Sequence, residues 1–135
     1  MAYPVAGGVK SYRTPGYRVE HPLVPHGVSV ILNAPAAFRF TAVASPDRHL
    51  AAAEALGADV STCRREDAGR VLADRITWFM RRLNIPSGIR EVGYGPADIP
   101  ALVEGTLAQK RLTQLSPKPV DGEALAQIFE DAMSV

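Results

Sequence analysis

The sequence predicts an all-α helical bundle led by a long N-terminal loop. Three observations carry this. From Gly27 onward, apolar residues recur at spacings of three and four. No stretch alternates apolar and polar residues as a half-buried strand would. Helix start and stop signals bracket segments of ordinary helical length, among them Ser45-Pro46-Asp47, Gly57 and Asp121. With 135 residues and 47 % hydrophobic content, the chain is long and apolar enough to bury one core, so a single helical domain over 1–135 is expected.

The segment to about Pro25 holds Pro4, Gly7, Gly8, Pro15, Gly16, Pro22 and Pro25. Proline cannot donate to a ladder and glycine weakens a helix, so 1–25 reads as mostly loop, with no local core to pack on. Val28, Ile31, Leu32, Ala36 and Phe40 then mark a helix that Pro35 should kink. Ser45 as cap, Pro46 at the first helical position and Asp47 in the first turn open a helix that stops at Gly57. The strongest periodicity follows: Ala68, Val71, Leu72, Ile76, Phe79, Met80 and Leu83 form one stripe, and the helix should end before Pro86. A short turn, SGIREVGYG, leads to a helix over Asp98–Lys110 with Ile99, Leu102, Val103 and Leu107 inward. Asp121 caps a last helix carrying Leu125, Ile128, Phe129 and Met133.

Charge and cysteine content exclude several classes. A net charge of +1 gives no general drive toward nucleic acid or anionic membrane. The single Cys63 rules out an internal disulfide and a multi-cysteine zinc site. No segment reaches the ~18 apolar residues of a membrane span. The opening MAYPVAGGVK is not a signal peptide, which makes the cytoplasm the expected compartment.

Candidate chemistry is sparse. Of the three histidines, His49 lies on an Ala-rich helix and reads as solvated. His21 and His26 fall in HPLVPHG, where flanking Pro and Gly fix the backbone and His26 immediately precedes the first long helix. Imidazole is the commonest ligand for a borderline divalent metal, but such a centre normally takes three or more protein ligands. Cys63 beside Arg64 and Arg65 has neither a second cysteine nor a sequence-near histidine to complete a reactive site. Gly7-Gly8 and Gly93-Tyr94-Gly95 lack phosphate-loop spacing. Arg64, Arg65, Arg70, Arg81 and Arg82 alternate with Glu66, Asp67 and Asp74, as on a solvated, ion-paired face. Trp78 reads as partly buried at the bundle edge.

Five strings in fixed order — HPLVPHGVSV, SPDRHLAAAEALGAD, DAGRVLADRI, VGYGPADIPALVEGTL and a closing helix — resemble the C-terminal half of iron-containing (group III) alcohol dehydrogenases. The long loop over Lys10–Glu20 is most similar to the hydroxyacid–oxoacid transhydrogenase branch. The resemblance implies a helical domain partnered by an N-terminal α/β domain that binds NAD(H). It implies a divalent metal, iron or in some members zinc, held by one Asp and three His in the cleft between the domains. His26 matches the last metal histidine; the other ligands and the dinucleotide site would lie outside this chain. Tyr3 stands where many members have another active-site histidine, and Val30 where many have an Asn. His21 belongs to the inserted loop and is not a ligand. The substrates implied are a hydroxyacid such as 4-hydroxybutyrate and an oxoacid such as 2-oxoglutarate. The chain alone is then expected to be inactive and to hold neither metal nor NAD tightly. A free-standing helical interaction module, or a remnant without catalysis, stays open beside this reading, as does a homo-oligomer.

Overall fold

A computed structural model describes residues 1–135. Seven α-helices follow one another: α1 (Ala2–Gly7), α2 (His26–Thr41), α3 (Pro46–Ala55), α4 (Ala68–Arg82), α5 (Ile99–Leu107), α6 (Lys110–Thr113) and α7 (Gly122–Asp131). There is no sheet; a single isolated bridge joins Arg13 to Leu23. Helix α2 is central and packs on α4, α1 and α7, while α3 lies on α4 and α5 on α7 and α1.

The first 25 residues depart from the expected loop. Residues 2–7 are helical, and Val5 is fully buried with Val24 nearly so, both within the main core cluster. The short helix forms despite Pro4 because proline in a first turn removes only an N–H that has no helical partner. This segment therefore does have a core to pack on, assembled from α2, α5 and the stretch before α5.

Helix α2 runs unbroken through Pro35. Its buried face is Ser29, Leu32, Asn33, Pro35 and Ala36, so two core positions are polar and the apolar pattern located them poorly. With the following 3-10 turn, His26–Ala44 is long and apolar enough to cross a membrane, contrary to expectation. Here it serves as the core helix.

Other boundaries moved for local reasons. Ser45 does not cap α3 with its side chain; its carbonyl accepts from His49 Nδ1 at 2.9 Å instead. His49 is buried, not solvated, with Nε2 3.1 Å from Thr41 Oγ1 and Phe38 edge-on to its ring. Gly57 follows α3 at φ +84°, as a stop signal should. In α4 the stripe holds at Ala68, Leu72, Ile76 and Met80, but Leu83 is 65 % exposed because the helix ends one residue earlier. Trp78 is 42 % exposed, partly buried at the edge as read, with the Arg75 and Arg82 guanidinium groups over its ring. The expected helix over Asp98–Lys110 is a 3-10 turn followed by α5, and Lys110 opens α6; Leu107 is exposed and Val103 only partly buried. Asp121 caps α7 as read, accepting from Ala124 N at 2.8 Å.

The stretch read as a short turn supplies three core side chains: Ile89, Val92 and Tyr94. Tyr94 donates from its hydroxyl to Val5 O at 2.7 Å, locking α1 onto the bundle. Burial, and secondarily the charge of Asp98, pushes its pKa up to about 12. Below pH 10 the phenol is protonated folded or unfolded, and its stabilisation is complete. Between pH 10 and 12 only the unfolded chain ionises, so stability is lost as pH rises. Tyr94→Phe should cost about 1–2 kcal/mol at pH 8. Urea titrations should also show wild type losing more stability than the variant between pH 10 and 12. Parallel pH curves would refute this.

Candidate functional site

His26 is the first residue of α2. Pro25 before it has φ −56° and ψ 147°, an extended entry that turns sharply into the helix. The first turn is tied from beneath: buried Ser29 donates its hydroxyl to His26 O at 2.7 Å and its N–H to Pro25 O at 2.9 Å. One turn further, Asn33 Nδ2 donates to Ser29 O at 2.7 Å. These bonds fix the backbone of the turn while leaving the His26 side chain exposed. Sequence reasoning passed over Ser29 and Asn33; their signal was polar residues on the buried face of an apolar helix.

Tyr3 of α1 lies beside the imidazole, ring centroids 5.1 Å apart at 40°. Val30, one turn after His26 and on the same helical face, is 45 % exposed, and Tyr3 is 47 % exposed. The structure thus brings Tyr3, His26 and Val30 to one open edge. It leaves His49 in the α2–α3 junction and places Cys63 outside the helices, its thiol 3.6 Å from Asp59 O.

The loop over residues 8–25 is anchored at both ends. Leu23 N donates to Tyr12 O at 2.9 Å, and Thr14 Oγ1 to Leu23 O at 3.0 Å. Lys10 pairs with Asp98 at 2.6 Å, and Asp98 also accepts from Gly95 N at 2.9 Å. These contacts hold the Asp98 carboxyl below the usual carboxylate range. On the far side of the molecule, the mixed-charge face is ion-paired as expected. Arg64 meets Asp67 at 3.2 Å, Arg70 meets Asp74 at 3.3 Å and Arg65 meets Asp47 at 3.1 Å. Arg81 and Arg82 take no carboxylate.

The donor set of this chain does not make a metal centre by itself, because no three His, Cys, Asp or Glu side chains converge. What the edge offers is one accessible imidazole on a rigid helix start.

Residues 21–133 match the family described as Fe-containing alcohol dehydrogenase family, C-terminal. The chain belongs to the iron-containing alcohol dehydrogenase family. Within the family it is 53 % identical, over all 135 of its residues, to the mitochondrial hydroxyacid-oxoacid transhydrogenases of Xenopus laevis and Homo sapiens, covering 29 % of each. It is 44 % identical over 136 aligned positions to the probable mitochondrial transhydrogenase of Dictyostelium discoideum, covering 25 % of that protein. Two solved structures share the fold. A 1,3-propanediol oxidoreductase aligns with TM-score 0.73 at 26 % identity, and an alcohol dehydrogenase from Oenococcus oeni with TM-score 0.74 at 25 % identity. Each alignment covers 81 % of this chain and 28 % of the other. The chain therefore spans under a third of the length of the relatives it matches, and corresponds to their C-terminal part. The compartment in those relatives' names is the mitochondrion, which does not agree with the cytoplasmic expectation drawn from MAYPVAGGVK.

Proposed function

We propose that this chain is the helical domain of a hydroxyacid–oxoacid transhydrogenase, working in a mitochondrial setting together with a nucleotide-binding domain of the family's α/β type. The observation that carries this is the 53 % identity maintained across all 135 residues, loop included. The exposed Tyr3–His26–Val30 edge supports it, since a helical domain that closes a cleft must present its side chains outward.

The chemistry is a pair of hydride transfers. The hydroxyacid would lose a hydride from its carbinol carbon and a proton from its hydroxyl, and the oxoacid would gain a hydride and a proton at its carbonyl; a nicotinamide held by the α/β domain would supply the means of carrying the hydride between them. A divalent metal in this family polarises the reacting C–O bond as a Lewis acid. This chain contributes the His26 imidazole toward it. The Ser29 bonds fix the backbone that carries it, and Tyr3 and Val30 flank it at the same edge.

The test is reconstruction. This chain replaces the corresponding C-terminal 29 % of the Xenopus laevis transhydrogenase. The chimaera should couple oxidation of 4-hydroxybutyrate to reduction of 2-oxoglutarate, while the 135-residue chain alone turns over neither. A folded chimaera without that coupling would refute the proposal.

A further inference from the structure

We propose that Arg13 is the carboxylate anchor of the substrate site, binding the acid end of the hydroxyacid and oxoacid. This rests on the transhydrogenase reading for its substrate class, and on the loop geometry for the residue.

Residues 1–46 contain four cationic side chains, Lys10, Arg13, Arg18 and Arg39, and one acid, Glu20. Lys10 is spent on Asp98 at 2.6 Å, and Arg39 lies 3.6 Å from Asp74. Arg13 and Arg18 have no carboxylate partner, and both are exposed. The backbone separates the two. Thr14-Pro15-Gly16-Tyr17 forms a turn, with Gly16 at φ +83° and Tyr17 N donating to Thr14 O at 3.3 Å. Proline followed by a positive-φ glycine is the type II signature. Arg13 and Arg18 therefore flank the turn on its two sides, and only Arg13 is tied to a second strip of chain. Arg13 bridges Leu23, with Tyr12 O and Thr14 Oγ1 bonded to the same residue.

Leu23 is three residues before His26, a span of at most about 11 Å even when fully extended. The loop thus fastens the backbone of a residue whose guanidinium is unpaired to the strip of chain that leads directly into the histidine edge. Guanidinium presents a planar fork that matches a carboxylate with two parallel hydrogen bonds. A substrate that is both an alcohol or ketone and a carboxylic acid needs one site for each end. The imidazole edge serves the reacting end, and Arg13 serves the acid.

The test uses the chimaera carrying Arg13→Met and, separately, Arg13→Lys. Arg13→Met should raise KM for 2-oxoglutarate and 4-hydroxybutyrate about tenfold to a hundredfold, the worth of one charged hydrogen-bonded contact. It should leave kcat within about twofold and leave KM for 1-butanol, which has no carboxylate, unmoved. Arg13→Lys should recover part of the loss. A second readout does not depend on turnover: phenylglyoxal labels Arg13, and 2-oxoglutarate should protect it, as read by peptide mass. Equal KM changes for the acids and for butanol, no KM change at all, or an unprotected Arg13 each overturn the anchor. A chimaera without turnover overturns the transhydrogenase reading instead. Protection of Arg13 in that inactive protein still supports the anchor, and its lack still overturns it.

Discussion

Replacing Gly88 with alanine should lower the unfolding free energy by about 3 kcal/mol or more, a large fraction of what a domain this size has. Gly88 sits at φ +139° and ψ 170°, a backbone region that only glycine occupies without strain. That conformation alone costs another residue about 1–3 kcal/mol. The space is also taken: an added Cβ would run into the carbonyl of Met133 and lie 2.9 Å from Ala132 O. Relief requires the C-terminal turn to move away. That turn is bonded to the same segment, with Ile89 N donating to Ala132 O at 2.9 Å, Arg90 N to Met133 O at 3.3 Å and Val135 N to Ser87 O at 2.8 Å. Phe129, Ala132 and Met133 are core residues just behind it. Strain, lost hydrogen bonds and an opened core therefore add in one direction. Gly95→Ala is the matched control, because that glycine has φ −134° and nothing within 4 Å of a new Cβ. Urea unfolding should place Gly95→Ala within about 0.5 kcal/mol of wild type and Gly88→Ala far below it. A Gly88→Ala protein as stable as the control would show that the C-terminal turn is not held by this contact.

Gly88 also marks the limit of what the sequence could tell. Periodicity located every long helix, because a buried stripe must recur with the helical pitch. It located α4 best, where Thr77 is the one polar side chain on the buried face, and α2 least well, where Ser29 and Asn33 stand in core positions. The stop at Gly57 and the cap at Asp121 were legible because each acts through its own few residues. What escaped was made by tertiary contact. Val5 is buried by partners from several elements, with the Tyr94 hydroxyl on its carbonyl from 89 positions away. His49 reads as a surface histidine until Thr41 and Ser45 close around both ring nitrogens. His26 becomes a candidate through the resemblance of HPLVPHG to the family's histidine element; its Pro25 and Gly27 neighbours alone fit an ordinary loop histidine as well. The Ser29 bonds that fix its backbone, and the Arg13–Leu23 bridge that ties the loop to the strip preceding it, depend on folded backbone and have no local signature.

His26→Ala in the transhydrogenase chimaera should reduce both bound metal and turnover by at least about a hundredfold. Partners that merely orient a metal ligand are worth ten- to a hundredfold in affinity, so loss of a ligand itself should meet or exceed the top of that range. Turnover must follow, since polarisation of the reacting C–O bond is the metal's contribution to the hydride step. The substitution separates chemistry from folding unusually well. The imidazole is exposed, and the bonds that organise the turn use the His26 carbonyl and Pro25 carbonyl, which alanine leaves in place. Stability of the 135-residue chain should therefore change by no more than about 0.5 kcal/mol in urea. The decisive readout is metal per chain, measured after exhaustive dialysis and reloading with Fe(II) or Zn(II). Full metal content with turnover intact would remove His26 from the ligand set. Full metal content with turnover lost would move it from ligand to a direct role on the substrate. Loss of both, with the fold untouched, is the result expected of an exposed imidazole on a bonded helix start, offered to a metal whose coordination a neighbouring domain would complete.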